Sequence, residues 1–249
     1  REMQQEESIR FIRHCVLNMR DRRYEEDYFA PRVFREAALW LEQNQDAARF
    51  FLTIECFDPH EPWLAPPHYL RRHMPSPSHE ALRSSCVDDS LNAEFYQRTQ
   101  ANYSANVALC DRWFGFFLEQ MRVLGRLEDT LLMVTSDHGH SIGEQGYCGK
   151  RGYPSRPEVL ETPLLLRFPS GDHGGKTSDM FVQHVDITGV ILKAADVLPP
   201  RPIDGESFVE NALLGNPGPR NHVTIGWGAD VTVITKRWWF NSTVLGTKP

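Results

Sequence analysis

Cysteine is scarce in this chain. Five occur in 249 residues, Cys15, Cys56, Cys86, Cys110 and Cys148, and no two have CxxC spacing. An odd, scattered set argues against a disulfide framework, though it leaves the compartment open. Cys56 and Cys110 sit inside apolar runs and read as buried thiols rather than metal ligands. Excess positive charge is lacking too: 27 Lys and Arg face 33 Asp and Glu, for a formal net charge of −6. That leaves no electrostatic footprint for nucleic acid, so any anion site must be a local pocket. No uninterrupted apolar run approaches the roughly 18 to 20 residues that span a membrane. The opening REMQQEESIR carries neither an apolar signal core nor an initiating methionine. The expectation is a chain that starts inside a larger protein, with neither nucleic acid nor membrane as partner.

What is present is the composition of an ordinary globular domain, 41% hydrophobic and 24% charged. Ile9, Ile12 and Val16 form a possible helix face near the start. Pro31 opens a clearer helix, with Phe34, Ala37, Ala38 and Leu41 at i, i+3, i+4 and i+7. FFLTIECF (50–57) has the apolar, aromatic character of a buried strand and runs into the proline-rich loop DPHEPWLAPPHY. Residues 70–92 are irregular. Residues 93–124 predict a long helix with Tyr96, Tyr103, Val107, Cys110, Phe114, Phe117, Met121 and Leu124 on one stripe, ended by Gly125. LLMVTS (131–136) and TPLLLRFP (162–169) predict buried strands, and Asp186 is placed to N-cap a helix over Ile187, Val190, Ile191 and Ala194. HVTIGWG and VTVITKRWWF predict two strands joined around Gly228-Ala229-Asp230. Strands alternating with helices imply an α/β fold, a mainly parallel sheet flanked by helices. Residues 1–220 then form the main domain, and 221–249 begin a small antiparallel sheet.

In open parallel sheets, ligands bind beyond the carboxyl ends of the strands. Two predicted strands end in polar loops, which together offer Asp58, His60, Glu61, Asp137, His138 and, further on, Lys150. Asp137 and His138 supply an anionic oxygen and a neutral nitrogen, a mix that by ligand type suits Zn²⁺ or Mn²⁺. The same pair could instead close a turn and make one structural hydrogen bond. Lys150 follows Gly146 and Gly149 and is a candidate point charge for an oxyanion, or else a surface lysine. His60, between prolines and near Trp63, could donate to such an oxyanion, protonate a leaving group, or simply fix its loop.

TSDHGHSIGEQGYCGK resembles the sulfatase pattern in which a strand ends in Ser-Asp-His-Gly, followed by Gly-Glu and Gly-Lys. FFLTIECFDPHEPWLAPP is similar to the same family's strand and Asp-Pro-His-x-Pro-Trp loop. TPLLLRFPSG and VQHVDITGVILKAADVLPPRPIDGESF are similar to its later strand and its Val-Asp helix with a Gly-x-Ser turn. The likeness runs in the family's order through most of residues 27 to 210. It implies an alkaline-phosphatase-like fold, incomplete here, that hydrolyses a sulfate ester of a small molecule or glycan at one divalent cation, usually Ca²⁺. It also implies that Asp137 and His138 bind the metal, while His60 and Lys150 contact the sulfate.

The departures are equally definite. The family's formylglycine nucleophile arises from the cysteine (or serine) of a Cys-x-Pro-x-Arg motif, and no cysteine here is followed by that pattern. Tyr153-Pro154-Ser155-Arg156 keeps only its end, the family's N-terminal metal-binding aspartates are absent, and of the Tyr-Glu after the lysine only Glu158 remains. Nucleophile and further ligands are expected upstream of this chain, and the C-terminus is expected to be cut as well, leaving the fragment inactive alone. Two rival readings follow: a phosphonate monoester hydrolase or phosphodiesterase of the same superfamily, or a non-catalytic protein binding sulfated ligands.

Overall fold

The protein's structure, a computed structural model, describes residues 10, 13–14, 17–74, 93–150 and 155–246. The expected helix face at Ile9, Ile12 and Val16, and residues 75–92, lie outside the described residues. In chain order the elements are α1 (Phe29–Gln43), α2 (Pro67–Leu70), α3 (Ala93–Val123), β1 (Leu132–Thr135), β2 (Ser141–Ile142), β3 (Cys148–Gly149) and α4 (Pro157–Leu160). There follow β4 (Leu164–Arg167), α5 (His184–Ala195), α6 (Val209–Leu214), β5 (His222–Trp227), β6 (Asp230–Thr235) and β7 (Trp239–Thr243). They fall into two compact units, one spanning Arg1–Asp129 with Ser141–Gly149 and one spanning Thr130–His140 with Lys150–Pro249. No helix among the described residues is long and apolar enough to cross a membrane.

The first unit is built on α1 and α3. In α1, Ala30, Pro31, Phe34, Ala37, Ala38 and Leu41 are buried on one face. Pro31 is tolerated because a first-turn N–H has no intrahelical partner to lose. That face meets α3 through Phe34, whose ring centroid lies 5.8 Å from Phe114 and 6.3 Å from Phe117. The length of α3 matches the prediction, but its buried stripe matches only at Phe117 and Met121. Ala101, Ala105, Leu109, Trp113, Phe117 and Met121 are buried, whereas Val107 lies outside that set. A ladder of steps of four advances about 40° per step at 3.6 residues per turn, so the buried line winds around the helix. The helix ends where predicted: Gly125 takes φ +69° and the Arg126 N–H returns to the Met121 carbonyl at 2.8 Å.

One unforeseen carboxylate ties this unit together. Glu25 accepts from Tyr69 Oη (3.0 Å) and Trp113 Nε1 (2.9 Å), and it pairs with Arg112 Nε (3.0 Å) and His68 Nε2 (3.1 Å). Asp58 is structural as well. Its Oδ2 accepts the Ala30 N–H at the start of α1 (3.0 Å), and its Oδ1 accepts Asn106 Nδ2 of α3 (3.1 Å). The thiols of Cys56 and Cys110 are half-buried and hydrogen-bonded to each other.

The expected buried strand at 50–57 is corrected by the structure. Its residues alternate between exposed and half-buried with the two-residue period of a strand, yet they join no ladder. A strand needs a neighbour, and none of the described strands pairs with this segment.

In the second unit, β1 and β4 appear where predicted, but they pair antiparallel, Leu132 opposite Arg167 and Thr135 opposite Leu164. Every strand pairing among the described residues is antiparallel, against the expectation of a mainly parallel sheet. A parallel return needs a crossover, usually a helix, and among the described residues of the second unit between β1 and β4 the helix is the four-residue α4. The C-terminal strands form a meander, β5-β6-β7, with Gly228 at φ +60° in the first turn. The WWF stretch, expected at the end of one strand, leads into a separate one, β7.

Asp186 does not N-cap α5. Gln183 holds that position, and Asp186 sits at the third residue of the helix with its side chain fully buried. Its carboxylate accepts the Gln183 N–H (2.9 Å) and the Glu206 N–H (3.0 Å), and takes a two-pronged contact from Arg220 at 2.9 and 2.6 Å. Burial raises its pKa, but Arg220 and the two N–H groups outweigh that and hold the carboxyl below its ordinary value.

Candidate active site

Chain geometry at the end of β1 sets the Asp137-His138 pair. Ser136 Oγ donates to the His138 carbonyl at 2.8 Å, and Asp137 Oδ1 accepts the His138 N–H at 2.9 Å, so the loop closes on itself. The Asp137 side chain is 83% exposed. His138 Nδ1 lies 2.9 Å from the Gly139 carbonyl, which can only accept, so Nδ1 carries the proton and Nε2 presents its lone pair. From behind, His184 Nε2 donates to the Ser136 carbonyl at 2.7 Å. Gly139 is needed because of a close approach: its N–H bonds the Val159 carbonyl at 2.8 Å, and any Cβ there would overlap the Glu158 carbonyl oxygen.

The pair can be tested against the divalent cation that the sequence implies. Asp137 Oδ2 and His138 Nε2 lie 3.5 Å apart. Two donors at right angles around a cation with bonds of about 2.4 Å are separated by about 3.4 Å, so the spacing fits adjacent positions of one shell. A backbone carbonyl on the other ring nitrogen is also the usual support of a ligating histidine. Among the described residues no group of three or more His, Cys, Asp or Glu side chains converges as a shell. The pair therefore fits two positions, and the described residues do not supply a third such side chain.

Lys150 is half-buried and follows Gly149, which turns the chain at φ +130°. It belongs with Asp137 and His138 to the second unit, whereas His60 belongs to the first. The His60 ring stacks on Phe57 with centroids 4.3 Å apart. Its Nδ1 lies 2.8 Å from the Glu61 carbonyl and 3.2 Å from Glu61 Oε2, in a carboxylate that is only 3% exposed. Both neighbours accept, so Nδ1 is the donor to them. The loop beneath is fixed by Trp63, fully buried, whose Nε1 donates to the Pro59 carbonyl at 2.8 Å. Sequence reasoning passed over Glu61 as the partner of His60, although its adjacency was the available signal. It also passed over the reach of His184 to the loop ahead of Asp137, for which no local signal existed.

Comparison with known proteins places the chain in a family. The sequence profile of the Sulfatase family matches residues 9–197, about three quarters of the chain. The multifunctional alkaline phosphatase superfamily protein PehA of Trinickia caryophylli is 25% identical over 236 residues, covering 82% of this chain and 46% of that protein. The phosphonate monoester hydrolase of Agrobacterium radiobacter superposes with a TM-score of 0.73 at 18% identity, over 89% of this chain and 53% of that one. A protein solved in complex with its substrate D-glucosamine-2-N,6-O-disulfate superposes with a TM-score of 0.70 at 19% identity, over 84% and 59%. These likenesses show the fold to be α/β of the alkaline-phosphatase-like, sulfatase type, and the chain spans about half the length of the proteins it matches. The chain belongs to the sulfatase family.

Proposed function

We propose that the protein hydrolyses a sulfate ester, with Asp137 and His138 as two ligands of a divalent cation, Ca²⁺ by family likeness and Mn²⁺ or Zn²⁺ by ligand type. The observation that carries this is the 3.5 Å separation of Asp137 Oδ2 and His138 Nε2, with Nδ1 engaged by the Gly139 carbonyl. When bound, the cation supplies positive charge for the sulfate oxygens. Lys150 adds a second positive charge for the oxyanion. His60, as the imidazolium with its Nδ1–H anchored on Glu61, donates its second N–H proton to the ester oxygen as the bond to sulfur breaks. By family likeness the nucleophile is a formylglycine, for which these 249 residues hold no Cys-x-Pro-x-Arg motif. The sulfated glucosamine bound by one structural relative supports a small sugar or glycan ester as substrate.

A second reading, hydrolysis of a phosphonate monoester, is favoured by the likeness to the Agrobacterium enzyme. The two are separated by purifying the full-length protein that contains this chain and comparing rates on an aryl sulfate and an aryl phosphonate monoester. Faster sulfate hydrolysis, lost on chelation and restored by a divalent cation, supports the proposal. Faster phosphonate hydrolysis supports the second reading, and no hydrolysis of either by metal-loaded protein overturns both.

A further inference from the structure

A groove of about 1240 Å³ opens in the second unit between the segment leading into α5, the end of α6 and the turn joining β6 to β7. We propose that it binds an anionic saccharide, as a subsite for the sugars flanking the ester that is cleaved. The choice of ligand rests on the sulfate-ester reading above; the location rests on the groove itself.

The turn Thr235–Trp238 is built to present side chains. Thr235 Oγ1 accepts the N–H groups of Arg237 (3.2 Å) and Trp238 (2.9 Å), and the Thr235 N–H closes the turn on the Trp238 carbonyl at 2.8 Å. Lys236, Arg237 and Trp238 thus project from a fixed backbone, which lowers the entropy cost of using them in binding. The Trp238 indole is 66% exposed, a large apolar surface that folding leaves in water. The Arg237 guanidinium lies 5.6 Å from its ring centroid. Among the described residues Lys236 pairs with Asp179 at 3.7 Å, an exposed pair that a stronger anion displaces at little cost. A flat indole stacks on the C–H face of a pyranose, while adjacent ammonium and guanidinium groups take sulfate or carboxylate substituents.

The opposite walls carry amides and an imidazole, donors and acceptors suited to hydroxyl groups: Gln183, Asn211 and His222. They too are fixed, Gln183 Nε2 donating to the Thr224 carbonyl (2.9 Å) and Asn211 Nδ2 to the Pro217 carbonyl (2.6 Å). Gln183 directly precedes His184, whose ring holds the Ser136 carbonyl ahead of Asp137, so the groove wall continues into the support of the proposed metal pair. The chain's net charge of −6 disfavours indiscriminate attraction of polyanions, which makes a cationic, aromatic groove a local exception.

The test uses the full-length protein and calorimetric titration with a dextran sulfate oligosaccharide and with the parent dextran. Wild-type protein is expected to bind the sulfated sugar at least about tenfold more tightly, with affinity falling as salt rises. Trp238→Ala and Arg237→Ala are each expected to weaken that binding about tenfold. Unchanged thermal unfolding in both variants attributes the loss to the groove. Equal binding of dextran and its sulfate, or full affinity in both variants, overturns the proposal. Aryl sulfate hydrolysis by the wild-type protein, measured separately, tests the catalytic reading, so the two can fail independently.

Discussion

Replacing Arg220 by alanine should destabilise the second unit through Asp186. That carboxylate is fully buried and takes two contacts from the guanidinium, at 2.9 and 2.6 Å. Removing one partner of a buried pair typically costs roughly 3 to 5 kcal/mol, because a buried charge is left behind. Two backbone donors remain, from Gln183 and Glu206, so the lower part of that range applies, about 3 kcal/mol. In a protein of this size that lowers Tm by about 6 to 12 °C. Urea titration followed by tryptophan fluorescence reads it directly, since Trp227, Trp238 and Trp239 all lie in this unit.

The pH dependence separates this cause from a packing defect. The folded-state pKa of Asp186 lies below its ordinary 3.8. Its stabilising contribution is therefore present above about pH 4 and is lost as pH falls through the folded value. In Arg220→Ala the carboxyl left behind is costly only while charged, so the difference from wild type should shrink below about pH 4. A difference under about 1 kcal/mol at pH 7, or one that is constant with pH, would falsify the buried-charge argument. Asp186→Leu combined with Arg220→Met removes both charges and should cost less than Arg220→Ala alone.

Three other outcomes follow from the same geometry. Tyr69→Phe removes one of four donors to Glu25 and should cost about 1 kcal/mol in urea titration at neutral pH. Burial first, then Glu25, pushes the Tyr69 phenol up to about 12, so the wild type should lose stability between pH 10 and 12, and the phenylalanine variant should not show that loss. Gly139→Ala sets a Cβ against the Glu158 carbonyl and should cost about 1 to 3 kcal/mol or more, with weaker metal binding by calorimetry as the Asp137-His138 loop shifts. Asp137→Asn and His138→Ala should each weaken divalent-cation binding at least about tenfold, and retained affinity in both would remove the pair from the shell.

How much of the fold was legible depended on how local each determinant is. The span of α1 could be read because Phe34, Ala37, Ala38 and Leu41 recur at the helical period behind a proline, all within one segment. The end of α3 could be read because Gly125 is punctuation that acts on its own residue. Its buried face could not, because which side faces inward is decided by α1 and Glu25, and the stripe winds as those neighbours change. Residues 50–57 show the limit from the other side. The alternation of a strand is in the sequence and in the exposure pattern, yet a ladder is a property of two segments, and only one is among the described residues. Likewise the antiparallel return of β4 depends on what lies between two strands rather than within them, and among the described residues no crossover longer than the four-residue α4 lies there.

The site divides along the same line. Asp137 and His138 could be put forward as candidates because their chemistry is adjacent in sequence and sits where a strand ends. What makes them usable is not adjacent. Which ring nitrogen of His138 carries the proton is decided by the Gly139 carbonyl, and the Ser136 carbonyl is held by His184, 48 residues further on. His184 is in turn held by the start of α5, which Arg220 anchors from 34 residues beyond Asp186. No short motif can carry that information, because it consists of distances between segments that meet only after folding. A loss of metal affinity on breaking the Asp186-Arg220 pair, with Asp137 and His138 untouched, would show that this scaffold and not the motif sets the site's strength.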